Sequence, residues 1–184
     1  LNPTFRPETF RSRWLAACEA HDGTRLLALS KEYAGAHPDD PLQLYYQGWA
    51  LTEQNAPDVA VDGLIEGIKA TPDPPALLWF ALGQAYAAEQ AWSESVTAFE
   101  AARGLVQAGD TSLRVHSDRP VAELFGALGR AYIGVGRCVD AEIVLEYAAE
   151  VGAQASTYAT PLAEARLCQT PTPTATPYPT ATPM

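Results

Sequence analysis

The stretch WFALGQAY, residues 79–86, is central to the fold because it places a glycine inside a helix-favouring run. Gly83 costs about 1 kcal/mol of helix propensity relative to alanine there. The stretch LFGALGRAY, residues 124–132, carries the same Leu-Gly-x-x-Tyr. An unfavourable residue that returns at the same place in a second run indicates a repeated packing unit.

The chain outside these stretches also favours helix. Alanine and leucine dominate residues 8–169, and the apolar positions recur at the i, i+3, i+4 spacing of amphipathic helices. No alternating strand pattern or Asn-Gly or Asp-Gly hairpin is present, so we predict an all-α fold. The predicted helices form four pairs and a short final helix near Thr160-Pro161, covering 7–20, 24–37, 41–54, 57–70, 75–89, 92–106, 120–135, 138–152 and 157–169.

A third glycine, Gly48, aligns with Gly83 and Gly129, at intervals of 35 and 46 residues. The longer interval matches a polar insertion, the 107–119 segment, which we expect to be the most mobile internal part of the chain. Twelve, sixteen and nineteen residues after each glycine come a small, a large and a small residue. In chain order these are Ala60, Leu64 and Gly67, then Ser95, Phe99 and Ala102, then Ala141, Leu145 and Ala148.

This pattern resembles the tetratricopeptide repeat, with its Trp-x-x-Leu-Gly-x-x-Tyr, Ala-x-x-x-Phe and Pro positions. The second unit matches best, and the first departs because Leu44 and Gln47 replace the tryptophan and leucine. The matching residues are Trp79, Leu82, Gly83, Tyr86, Phe99 and Ala102 in the second unit and Leu128, Gly129, Tyr132, Ala141 and Ala148 in the third, with Pro72 closing the first.

The resemblance covers about residues 7–155 and implies a right-handed solenoid of about four helix pairs. It implies that the glycine of each first helix faces the small residue twelve positions later. The expected organisation is a degenerate N-terminal pair in 1–40, three repeats in 41–155 interrupted by 107–119, a capping helix in 156–169, and an extended Thr/Pro-rich tail in 170–184.

Charge and motifs narrow the possible functions. The 184 residues include 22 acidic and 12 basic side chains, a net charge of −10 that argues against a nucleic-acid surface. No stretch approaches the roughly 18 apolar residues of a membrane span.

Cys18 and His21 have no second ligand pair that would complete a metal site. Without a hydrolase, zinc or phosphate-loop motif, we expect neither an enzyme nor a cofactor.

Two cysteines suggest a disulfide. Cys138 and Cys168 are nearly symmetric about the predicted turn near residue 153, so antiparallel helices would bring them together. The alternative is a pair of buried thiols in a cytosolic protein. Cys18 is the third cysteine, has no predicted disulfide partner, and is expected to be buried on its helix face.

The Thr/Pro tail is typical of extracytoplasmic stalks, which often carry O-linked glycans. Because the chain starts at Leu1, either a leader was removed or the sequence begins within a longer protein. We expect an extracellular or cell-envelope location. The candidate glycosylation sites are Thr170, Thr172, Thr174, Thr176, Thr180 and Thr182.

The resemblance also implies a concave groove lined by the first helix of each pair. An exposed aromatic groove would suit an apolar or proline-rich segment, whereas Tyr45, Trp49 and Phe80 could instead pack partly as core. The expected groove positions are Leu42, Tyr45, Trp49, Leu77, Phe80, Gln84, Glu123 and Arg130.

Two functions follow from these observations. The first is a self-assembling extracellular interaction scaffold, a homo-oligomer or fibre in which the tail of one copy lies on the next. The alternative is a cell-envelope adaptor that holds a foreign peptide or protein in its groove and uses the tail as a spacer.

Overall fold

The computed structural model describes residues 7–152 and 155–169. Within these ranges the chain forms nine α-helices and one 3₁₀ turn, Ser112–Val115, with no strand, so the all-α prediction is confirmed for them. The tail, 170–184, and its six threonines lie outside the described residues. The helices are α1 Pro7–Glu19, α2 Gly23–Ala36, α3 Leu42–Glu53, α4 Pro57–Ala70, α5 Ala76–Ala88, α6 Trp92–Gln107, α7 Pro120–Gly134, α8 Cys138–Gly152 and α9 Ala155–Cys168.

In each of the four helix pairs, a turn of the same construction connects the first helix to the second. In each turn one residue has a positive φ, at 48°, 58°, 60° and 75° for His21, Asn55, Gln90 and Gly136. The residue that follows donates its backbone N–H to a carbonyl five positions earlier, at 2.8–3.0 Å. The first pair, α1 and α2, therefore has the same turn as the other three, although its sequence carries little of the repeat motif. The donors and acceptors are Asp22 and Ala17, Ala56 and Leu51, Ala91 and Tyr86, and Arg137 and Tyr132.

The repeated glycine allows the two helices of a pair to approach closely. A Cβ atom on Gly83 would lie 2.6 Å from Cδ1 of Phe99, a separation that packed atoms do not tolerate. Gly48 meets Leu64 and Gly129 meets Leu145 in the same way. The sequence prediction paired the glycine with the small residue twelve positions later, but the side chain that needs the space is the large one sixteen positions later.

The small residue also contacts the glycine, through a different atom. The buried Ser95 hydroxyl donates a hydrogen bond of 2.9 Å to the carbonyl oxygen of Gly83. A larger side chain at position 95 would occupy the space in which these helices cross. The motif therefore encodes one close crossing through two contacts.

Aromatic packing stabilises the N-terminal pair where the motif is weak. Trp14 and Phe10 of α1 pack edge-on against Tyr46 of α3, with ring centroids 4.6 and 5.1 Å apart. All three rings are buried. Large buried rings remove much apolar area from water, and edge-to-face pairs add about 0.5–1.5 kcal/mol each.

The last helix, α9, begins earlier than predicted. It starts at Ala155, so Pro161 lies inside the helix and not at its start. The buried Tyr158 ring packs on Gly126 of α7, and its hydroxyl donates to the carbonyl oxygen of Ala122 at 2.9 Å. These contacts hold the first turn of α9 in place, although Pro161 has no backbone N–H to donate to the helix.

Candidate functional site

The 107–119 segment packs against α5. Its Asp110 carboxylate accepts the backbone N–H of Ala76 at 2.9 Å, and the Ser112 hydroxyl accepts that of Leu77 at 3.1 Å. Leu113 is 2% exposed. These contacts satisfy two of the otherwise unpaired donors at the start of α5. The segment is thus attached to α5 at several points, and its expected mobility relative to the rest of the chain stays a prediction.

His116 lies among the aromatic residues that the sequence assigned to a groove. Its Nδ1 is 2.8 Å from the Tyr45 hydroxyl, and its Nε2 is 3.0 Å from Oε2 of Glu123. The imidazole centroid is 4.4 Å from that of Trp49 and 5.0 Å from that of Phe80. The 107–119 segment therefore covers this aromatic surface with one of its own side chains.

Glu123 is held in its charged form. Partial burial alone would raise the pKa of this carboxyl, but hydrogen bonds from His116 and Ser117 lower it below the ordinary value of 4.5. Hydrogen bonds to a carboxylate favour its charged form. The cluster therefore joins α3, α7 and the 107–119 segment by polar contacts at neutral pH.

The predicted groove positions differ in how far they are exposed to solvent. Tyr45, Leu77 and Phe80 are buried, so Tyr45 and Phe80 do not present an exposed aromatic surface. The physical reason is that the 107–119 segment and neighbouring helices pack over these positions, which for Tyr45 and Phe80 agrees with the alternative that they belong to the core. Partner binding at the groove stays a prediction. Of the other positions, Leu42, Trp49, Gln84 and Glu123 are half-buried and Arg130 is exposed.

An open cleft of about 440 Å³ remains beside His116, where α1 faces α7. Cys18 lines it, half-buried, and its pKa is raised to about 12 by burial and then by the charge of Glu53. A thiol with so high a pKa is a poor nucleophile at neutral pH. No group of three His, Cys, Asp or Glu side chains is arranged to hold a metal ion in the described part of the chain.

Cys138 and Cys168 are joined by a disulfide, with Cα atoms 5.7 Å apart. This is the pairing that the sequence hypothesis placed between antiparallel helices. The bridge fixes the end of α9 to the start of α8. Arg166 adds ion pairs from α9 to Glu142 and Glu146 of α8, at 2.6 and 2.9 Å.

A line of exposed apolar side chains follows the outer side of α8 at i, i+4 spacing. We name these four residues the α8 row: Val139, Ile143, Tyr147 and Val151, which are 61%, 60%, 43% and 43% exposed. The Tyr147 ring packs edge-on against Phe125 of α7 at 4.7 Å. The row is therefore a continuous apolar strip with an aromatic pair near its end.

Sequence reasoning missed both the His116 cluster and the α8 row. The alternation of Leu113 and Val115 inside the polar insertion was a sign that this segment packs against something. The apolar residues of α8 surround most of the helix, more than one buried face requires. Neither sign identifies which neighbour is contacted.

None of the helices in the described ranges has the length and apolar character needed to cross a bilayer. No protein-family model matches the chain, and no curated protein is detectably similar to it in sequence.

Proposed function

We propose that this chain is a non-catalytic protein–protein interaction scaffold that assembles with copies of itself outside the cytoplasm. The proposed architecture is a right-handed solenoid similar to tetratricopeptide repeats. The four equivalent turns and the repeated glycine contacts support a helical repeat. The raised pKa of the Cys18 thiol, a poor nucleophile at neutral pH, supports the non-catalytic role.

The α8 row is the observation that carries the proposal. Four large apolar side chains on one helix face, each at least 43% exposed, form a continuous strip. Contiguous apolar patches on a protein surface commonly mark interaction sites. The Cys138–Cys168 disulfide supports an oxidising location, because such bridges persist mainly outside the cytosol.

The adaptor alternative has weaker support. A foreign peptide in the predicted groove would have to displace the 107–119 segment from Tyr45, Trp49 and Phe80. Displacement would break the His116 hydrogen bonds and expose Leu113. The open α8 row requires no such rearrangement.

Sedimentation velocity over a hundredfold concentration range tests the proposal. The wild-type chain should form species larger than a monomer, and Ile143→Glu should shift them strongly toward monomer, since a charge would enter an apolar contact. Val59→Glu is a matched control, because Val59 is a 52%-exposed valine on α4, away from the row. A wild-type chain that stays monomeric throughout would contradict self-assembly.

A further inference from the structure

We propose that the uncharged Thr/Pro segment 170–184 of one copy binds the α8 row of the next copy. This inference rests on the proposed self-assembly and names the contact that would produce it. The α8 row takes the place of the predicted aromatic groove as the surface that receives the tail, because Tyr45 and Phe80 are buried.

The position of Gln169 supports an occupant from this segment. The Gln169 side-chain amide donates to the carbonyl oxygen of Cys138 at 3.3 Å and to Oε2 of Glu142 at 2.8 Å. The segment thus leaves the described structure beside the first turn of α8. The donor segment therefore begins next to the helix that carries the receiving row.

Charge favours this segment over another folded surface. On α8 itself Asp140, Glu142 and Glu146 pair with Arg137 and Arg166, but the whole chain has a net charge of −10. An approaching folded copy would on average bring further negative charge. Residues 170–184 contain no charged side chain and five prolines.

The side chains of the row suit such a segment. Proline-rich segments bind aromatic-lined surfaces while losing little conformational entropy, because their polyproline II backbone is largely preformed. Tyr147 and Phe125 provide the aromatic part, and Val139 and Ile143 continue the strip.

Length allows a bridge between copies. From Val139 to Val151 the row extends about 18 Å along the helix axis. Fifteen residues of polyproline II would extend about 46 Å. The segment could therefore cover one row and still span on the order of 25 Å between molecules.

Backbone restriction favours a neighbouring copy over the same chain. Thr170 and Thr172 each precede a proline, which biases their backbone to extended conformations. Because α9 runs antiparallel to α8, a segment that continued in this extended conformation would run away from the row of its own chain, and only a reversal directly after Gln169 would bring it back. A head-to-tail contact between copies needs no reversal and propagates into a ring or a filament.

Photocrosslinking in the full chain tests this contact. The photoreactive residue p-benzoylphenylalanine replaces Ile143 in a chain of normal isotope content, which is mixed with a uniformly ¹⁵N-labelled wild-type chain. Crosslinked peptides are then mapped by mass spectrometry. We expect light position 143 joined to heavy peptides from 170–184, with the yield falling on dilution. The matched control carries the same residue at Val59 and should give no adduct with 170–184.

The other outcomes separate this contact from the function that it serves. Adducts within a single chain would overturn binding between copies. Adducts to helical residues of the heavy chain, or an assembled protein without any tail adduct, would overturn the proposed occupant and leave self-assembly standing. A protein that is monomeric at every concentration would overturn both.

Discussion

The Tyr45 hydroxyl lies 2.8 Å from Nδ1 of His116, a residue 71 positions later in the chain. This contact attaches the 107–119 segment to α3, while Glu123 on the other side of the imidazole attaches it to α7. Arg11 of α1 adds an ion pair of 2.7 Å to Asp118. The insertion that interrupts the repeat thus connects the first helix with later ones.

Replacing His116 with alanine should loosen this connection. The His116→Ala variant leaves the buried Tyr45 hydroxyl without its partner and removes a ring packed between Trp49 and Phe80. A buried polar group left without its partner costs about 1–3 kcal/mol. Urea unfolding should show a loss of this size, and hydrogen exchange should show faster exchange in residues 112–117.

The matched control is His21→Ala. The His21 side chain is 80% exposed and pairs with Glu53 at the surface. Exposed pairs contribute about 0–1 kcal/mol. Equal losses in the two variants would contradict a structural role for the His116 cluster.

Two glycine-to-alanine changes should have opposite effects. In Gly83→Ala the new Cβ would lie 2.6 Å from the fully buried Phe99 ring, and overpacking of this kind costs about 1–3 kcal/mol. In Gly104→Ala the Cβ meets no atom within 4 Å, and helix propensity should add about 0.5–1 kcal/mol. Thermal unfolding of both variants measures the difference. A stabilised Gly83→Ala would refute the close-crossing role of the repeat glycine.

Loss of the disulfide should destabilise the C-terminal end. Cys138 and Cys168 are 30 positions apart, and closing a loop of this size stabilises by about 3–4 kcal/mol in the chain-entropy model. The Cys138→Ser, Cys168→Ser double variant should show that loss in urea unfolding, whereas Cys18→Ser should retain the bridge. Peptide mapping that finds both cysteines alkylated without prior reduction would show that the bridge is absent.

Acid should weaken the contacts of the 107–119 segment. The pKa of Glu123 is lowered in the folded protein because hydrogen bonds from His116 and Ser117 outweigh burial, so its contribution to stability is complete above the ordinary value of 4.5. That contribution is lost as the pH falls through the lowered pKa. The free energy of unfolding should therefore fall less between pH 7 and pH 3 in Glu123→Gln than in the wild type.

The control for this titration is Glu66→Gln, a change at an exposed position of α4. Both variants remove one negative charge from an acidic chain, so the comparison separates Glu123 from general charge repulsion. If the two variants respond alike to acid, the Glu123 hydrogen bonds do not account for the pH dependence.

Most of the helical framework could be predicted from the sequence, because its signals act over short distances. Apolar periodicity marked each helix, and the predicted α4 and α8 have the observed bounds. Two further features are local. Proline stands at the first position of α4 and α7, and a residue with positive φ lies between the two helices of each pair. The recurring Gly83 and Gly129 identified the repeat because close helix crossings demand small residues at fixed intervals.

The tertiary structure decided what each face of those helices contacts. Tyr45 was predicted to line a groove, yet it is buried, and its hydroxyl contacts His116, which lies 71 positions later in the 107–119 insertion. Val139 and Ile143 belong to a helix rich in apolar residues, yet they are exposed because α8 packs on α7 and α9 through its other sides. Periodicity shows which residues share a helix face, but burial depends on contacts distant in sequence, so only the folded chain reveals which surface is covered.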